Sequence, residues 1–143
     1  MPTLWLVDSS AWIFALRPRP VVSIEQRVDE LLAQNRLLMT GIVELEVLSG
    51  LKTEKEFREF NALFEGLQRI KTRESDWAQA AEMAFDLRRA GYTLPLTDVL
   101  IGYQARRVDA GILHADRDFT VLCRHFRIEQ EDFSKAVSAG GGR

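Results

Sequence analysis

The fold class this sequence predicts is α/β, a single domain built on a mostly parallel sheet flanked by helices, and three observations predict it. Short apolar runs recur at Leu4-Trp5-Leu6-Val7, Leu37-Leu38-Met39 and Ile112-Leu113-His114. They are continuous rather than alternating, which suits strands covered on both faces, as in a parallel sheet. Longer amphipathic stretches separate them, and strands alternating with helices imply βαβ units. The length of 143 residues fits one domain.

The elements follow in chain order. Leu4 to Val7 reads as a strand halted by Asp8-Ser9-Ser10. Ser9 and Ser10 can cap a helix beginning Ala11-Trp12-Ile13-Phe14, and Arg17-Pro18-Arg19-Pro20 ends it, because neither proline continues a helix. Ser23 starts a helix to about Asn35, with Ile24, Val28, Leu31 and Leu32 on one stripe. Leu37 to Met39 reads as the second strand, closed by Thr40-Gly41, and a helix follows through Glu44 and Glu46 to Gly50. Thr53 to Gly66 and Glu74 to Ala90 read as long amphipathic helices, the latter closed by Gly91. Gln68-Arg69-Ile70 between them is compatible with a third strand. Thr97-Asp98 opens a helix that stops at Gly111, and Ile112 to His114 is strand-like, ending in Ala115-Asp116-Arg117-Asp118-Phe119. Residues 1–134 are expected to form the domain, and 135–143 a disordered Gly-rich tail.

Composition narrows the function classes. A hydrophobic fraction of 46% with 28% charged residues is that of a globular chain and argues against disorder. With Cys123 alone, no internal disulfide is possible. The first residues lack a basic region, and no apolar run approaches the ~20 residues a membrane span requires. A soluble, cytoplasmic protein without membrane association is expected. Nineteen basic against 21 acidic side chains give a net charge of −2, so nucleic-acid binding would need a local patch or bound cations.

The acids supply such a place. Asp8 and Asp116 each follow a strand, Asp98 lies in the first turn of a helix, and Glu46 lies in the helix after the second strand. In open α/β sheets ligands bind at the carboxyl ends of strands, near the point where strand order reverses. Hard cations such as Mg²⁺ take oxygen ligands, so a few convergent carboxylates suffice. Two carboxylates ~4 Å apart repel by about 4 kcal/mol at an effective dielectric of about 20, so a converging set calls for a cation or for protons. Each acid also has a plainer role: Asp8 as a helix cap, Asp98 as a partner of the helix dipole, Asp116 and Asp118 in an Asx turn, Glu46 as a solvated helix residue.

Four segments together resemble the acidic motifs of PIN-domain ribonucleases, in the order and spacing of VapC-type toxins of bacterial toxin–antitoxin pairs. They are Val7-Asp8-Ser9-Ser10-Ala11-Trp12-Ile13, Glu46-Val47-Leu48-Ser49-Gly50, Leu96-Thr97-Asp98 through Ala105, and His114-Ala115-Asp116-Arg117-Asp118-Phe119. The resemblance runs from Asp8 to about Phe126. It implies about five parallel strands with the acids meeting at their carboxyl edge. It further implies catalytic and Mg²⁺- or Mn²⁺-binding roles for Asp8, Glu46, Asp98 and Asp116, with Asp118 a further metal contact. In that family metal-activated water cuts structured RNA, often a tRNA or rRNA loop. A cognate VapB-like antitoxin blocks the site, and the toxin commonly forms a homodimer.

Glu44 and Glu46 are two residues apart and so on nearly opposite helix faces; the spacing to Gly50 favours Glu46. Ser10 either contacts a metal water or caps the helix. His114 is weighed as a general base against a strand-end histidine bonded to nearby backbone, with the second reading heavier. Cys123 and His125 would diverge on a helix. Trp5, Trp12 and Phe14 read as core or dimer contacts, and Arg17, Arg19, Arg106, Arg107 and Arg117 as phosphate-contact candidates. A PIN nuclease of RNA maturation or turnover, a DNA nuclease, and a non-catalytic acidic-site module remain open beside the toxin.

Overall fold

A computed structural model describes residues 2–139. Its sheet has five strands, β1 (Trp5–Val7), β2 (Leu37–Thr40), β3 (Gln68–Ile70), β4 (Gly111–His114) and β5 (Gln130–Asp132), all parallel and ordered β3-β2-β1-β4-β5. The chain steps outward from β1 through β2 to β3, then returns to the other side of β1 for β4 and β5. Strand order therefore reverses between β1 and β4, and the carboxyl ends of strands at such a reversal are where open α/β sheets bind ligands. The helices are α1 (Ser9–Leu16), α2 (Val22–Ala33), α3 (Gly41–Ser49), α4 (Glu54–Glu65), α5 (Glu74–Arg89), α6 (Leu96–Arg107), α7 (Arg117–Phe126) and α8 (Ser134–Ala139). None among the described residues is long and apolar enough to cross a membrane.

The continuous apolar runs are buried on both faces, as a covered parallel sheet requires: every residue of β1, β2 and β4 is buried. Trp12 and Phe64 meet in the core with ring centroids 5.0 Å apart, bringing α1 against α4. Trp5 lies over Gly111, its partner in the β1–β4 register, so closely that a Cβ there would fall 2.5 Å from the indole ring. Gly102 lets α6 approach Leu122 of α7 in the same way, with 2.5 Å to a methyl carbon.

Several boundaries differ from the sequence reading. Of the two caps read for α1, Asp8 and the Ser9-Ser10 pair, Asp8 is the one formed: its carboxylate accepts from the backbone N–H groups of Ser10 and Ala11, both at 3.2 Å, so the helix starts at Ser9 and not at Ala11. The second helix begins at Val22, one residue before Ser23, with no side-chain cap. After Ala115 the chain enters α7, a helix not read from sequence, whose cap Asp116 accepts the Asp118 N–H as in the Asx turn expected there. The edge strand β5 reads Gln-Glu-Asp and is partly exposed, so it carries no apolar signal. Helix α8 occupies 134–139, within the stretch assigned to the tail, and residues 140–143 of that tail lie outside the described residues.

Candidate active site

Asp8 and Asp116 leave the ends of the two strands that flank the reversal, β1 and β4. The backbone N–H of Asp8 still donates to Leu113 at 3.1 Å, which extends the strand pairing to the site itself. Asp98 enters from the first turn of α6. Asp98, Asp116 and Asp118 each offer a carboxylate oxygen, and the three oxygens lie within 4.8 Å of one another. That spacing suits a shared cation with an all-oxygen donor set, the kind hard divalent ions choose.

Glu46 and Glu44 diverge as their spacing requires. Glu44 points to β3, where Arg69 grips both its oxygens at 2.9 and 3.0 Å. Glu46 points toward the site: its charge is felt at Asp98, and its Oε1 is buried without a hydrogen-bond partner. A buried, unpartnered carboxylate oxygen facing other acids is an arrangement a cation would satisfy.

Asp8 is 2% exposed and is held differently. Both its oxygens lie 2.8 Å from the Ser10 hydroxyl, in addition to the two backbone donors of α1. Burial pushes its carboxyl up to about 7, against the lowering pull of Ser10 and Ala11, and the charge of Asp116 adds to the rise. The Ser10 oxygen also accepts the Ala115 N–H at 3.1 Å, so one hydroxyl ties the ends of β1 and β4 together. Burial likewise raises Asp98 to about 7, helped by the charges of Asp116, Asp8, Asp118 and Glu46. Asp118 is raised by burial and then by Asp116. Neighbouring negative charge thus opposes ionisation of Asp8, Asp98 and Asp118, which a cation would relieve.

Some plainer roles coexist with this cluster. Asp116 accepts the Asp118 N–H at 2.9 Å, capping α7 while it faces the other acids. His114 is fully buried, and its ring nitrogens hydrogen-bond to Gln130 and the Asp116 backbone. Cys123 is buried, and burial followed by the charges of Asp132 and Asp8 pushes its thiol up to about 12, so it offers no thiolate. Trp5 and Trp12 are core residues. Arg107 donates to the Lys71 carbonyl at 2.6 Å and pairs with buried Asp76 at 3.3 Å, a structural post rather than a free phosphate contact. Arg117 is exposed beside Asp116 at the start of α7.

Three features were not read from sequence. Gln130 and Asp132 of β5 pack beside His114. A groove of about 540 Å³ between α5 and α6, lined by Trp77, Ala81, Phe85, Arg88 and Leu96, reaches Thr97 next to Asp98. A second, of about 440 Å³, is bounded by Ile13, Leu16, Val47, Leu51 and Lys52 of the α1, α3 and α4 region. Exposed Trp77 and Phe85 at helical spacing were the available signal for the first.

Comparison with known proteins agrees with this architecture. The family model of the PIN domain matches residues 5–124. A VapC ribonuclease of Mycobacterium bovis is 31% identical over 133 residues, covering 90% of this chain and 98% of the relative. The solved VapBC2 of Rickettsia felis, bound to a fragment of its promoter DNA, superposes with a TM-score of 0.72 at 17% identity, covering 90% of this chain and 98% of the other. VapBC-5 of Mycobacterium tuberculosis, a member of the VapBC family of toxin–antitoxin systems, gives 0.60 at 18% identity, covering 92% and 98%. At those two identities the likeness to the solved structures speaks for the fold.

Proposed function

The chain belongs to the PIN-domain family of VapC ribonucleases, and from that premise we propose that it is the cytoplasmic endoribonuclease toxin of a toxin–antitoxin pair, dependent on Mg²⁺ or Mn²⁺. The observation that carries this reading is the convergence of Asp98, Asp116 and Asp118 oxygens within 4.8 Å, beside a buried Glu46 oxygen that has no partner. Asp8, Glu46, Asp98 and Asp116 are the residues we assign to cation binding and catalysis, with Asp118 a further contact. A divalent ion held there would neutralise charge on an attacked phosphate and lower the pKa of a water nucleophile. The protein's own contribution is positional. Ser10 fixes the Asp8 carboxylate, Asp116 orders Asp118 through its N–H, and the sheet edge holds strand-borne acids on a rigid base.

We take the substrate to be a loop of structured RNA, such as one in tRNA or rRNA. Loops present bases that can be splayed out and read, whereas a chain of net charge −2 has little pull on a long duplex. The partner is a VapB-like antitoxin. An Arg of its tail could pair with the acids in place of a cation, while apolar residues of the same tail occupy the groove beside Ile13 and Leu16. Trp12 is fully buried and does not line it. A homodimer is the oligomeric state we expect.

Expression tests the toxin reading. The chain alone should arrest growth, and co-expression of the product of a small reading frame just upstream should relieve the arrest through direct binding. Harmless expression of a protein that cleaves RNA once purified would replace the toxin by a nuclease of RNA maturation.

A further inference from the structure

We infer that His114 is a positioning residue for the acidic loop, held by Gln130 in the Nε2–H tautomer so that its Nδ1 accepts the backbone N–H of Asp116. The two contacts are 2.8 Å from Nε2 to Gln130 Oε1 and 3.2 Å from the Asp116 nitrogen to Nδ1. The backbone nitrogen can only donate, so Nδ1 carries no proton, and the neutral ring must carry it on Nε2. Nε2–H then needs an acceptor, and the Gln130 amide oxygen is where one is required.

The fold fixes this arrangement. In the β4–β5 register Ile112 pairs with Gln130 and His114 with Asp132, so Gln130 and Asp132 share the face on which the His114 ring lies. Phe119 of α7 covers the ring, with centroids 5.6 Å apart and planes 32° from parallel. Asp132 lies 3.9 Å from Nδ1, beyond hydrogen-bond length, and is already bonded to Thr120 at 2.6 Å and to the Ser134 N–H at 2.8 Å. With no exposed surface the ring has little room to turn. Order therefore passes from the edge strand to Gln130, then His114, then the Asp116 backbone, and on to Asp118 through its own bond to Asp116. Two of the three close acids hang from this chain, although no part of His114 is available to substrate.

The inference rests on the cation-binding reading of Asp116, and the test separates the two. Mn²⁺ alone is titrated calorimetrically into the full chain and into His114→Phe, His114→Asn, Gln130→Leu and Asp116→Asn. Thermal melts in chelator accompany each titration. Partners of this kind change metal affinity by about 10–100-fold. His114→Phe keeps the ring shape but loses the acceptor, and should bind Mn²⁺ about tenfold more weakly. His114→Asn, whose amide oxygen can take the place of Nδ1, should regain most of that loss even if its metal-free melting temperature is lower than that of the Phe variant. In labelled protein a scalar coupling across the hydrogen bond should join the Asp116 amide nitrogen to His114 Nδ1, and Gln130→Leu should weaken it. Parent-like Mn²⁺ affinity in His114→Phe, with loss in Asp116→Asn, would overturn the inference alone. Affinities that fall simply in step with metal-free stability would also overturn it. Parent-like affinity in Asp116→Asn would bring down the cation-binding reading and this inference with it.

Discussion

Asp8 and Asp98 carry opposite-looking demands: each is ordered by the fold, yet burial and neighbouring acids raise each from 3.8 to about 7. A carboxyl raised in the folded state favours the protonated form. Its stabilising effect is fully present below about pH 4 and is lost as pH rises through about 7. These two groups should therefore lower the metal-free melting temperature as pH rises between about pH 4 and pH 8, against the opposite trend of buried His114, whose pKa burial lowers. Asp98→Asn should flatten that slope and raise the metal-free melting temperature at pH 8, measured by circular dichroism in chelator. A Tm unchanged or lower at pH 8 would show that the acids do not strain one another.

The two glutamates of α3 separate by a similar argument. Glu46→Gln should remove much of the Mn²⁺-induced rise in melting temperature. Glu44→Gln should leave that rise intact and lose only a half-exposed pair with Arg69, worth about 0–1 kcal/mol. The reverse order would move the site to Glu44. The residue types and their spacing were legible in the sequence, because strand ends and helix starts are marked by caps and breaks in apolar pattern. That Asp8 both caps α1 and faces the other acids was not, since a linear reading treats the two roles as rivals. The Gln130 contact to His114 was equally hidden, because it depends on a register between strands and not on any spacing along the chain.

At the level of elements, legibility followed apolar content. The runs at β1, β2 and β4 declared themselves, and α5 and α6 followed from helical spacing. Strand β5 contains Gln130, Glu131 and Asp132 and is held by backbone pairing to β4 and by the bond from Arg27 to Glu131 at 2.8 Å. Such an edge strand has no pattern of its own. The close approach of Trp5 to Gly111 was likewise invisible before the register was known. Gly111→Ala should place a methyl group against a buried indole that cannot swing away, destabilising the fold by about 1–3 kcal/mol. Thermal melts would show it as a fall of several degrees, whereas a neutral effect would mean that β1 and β4 are less tightly paired at that end.

For the whole molecule, the net charge of −2 and the clustered acids oppose nucleic-acid binding unless cations intervene, and the PIN-domain architecture places those acids at the reversal of strand order. Selectivity in the proposed reading then comes from cations beside the acids, such as exposed Arg117, and from the shape of the RNA, which is why a narrow cutting pattern is expected. Cleavage mapping answers this most directly: purified chain incubated with total RNA in Mg²⁺ or Mn²⁺, with ends located by sequencing. Cuts should be confined to one or a few loops, abolished by chelation, restored by adding back the cation, and absent in a folded Asp98→Asn variant. Cleavage that persists in chelator or in Asp98→Asn, or uniform degradation of any RNA offered, would contradict it.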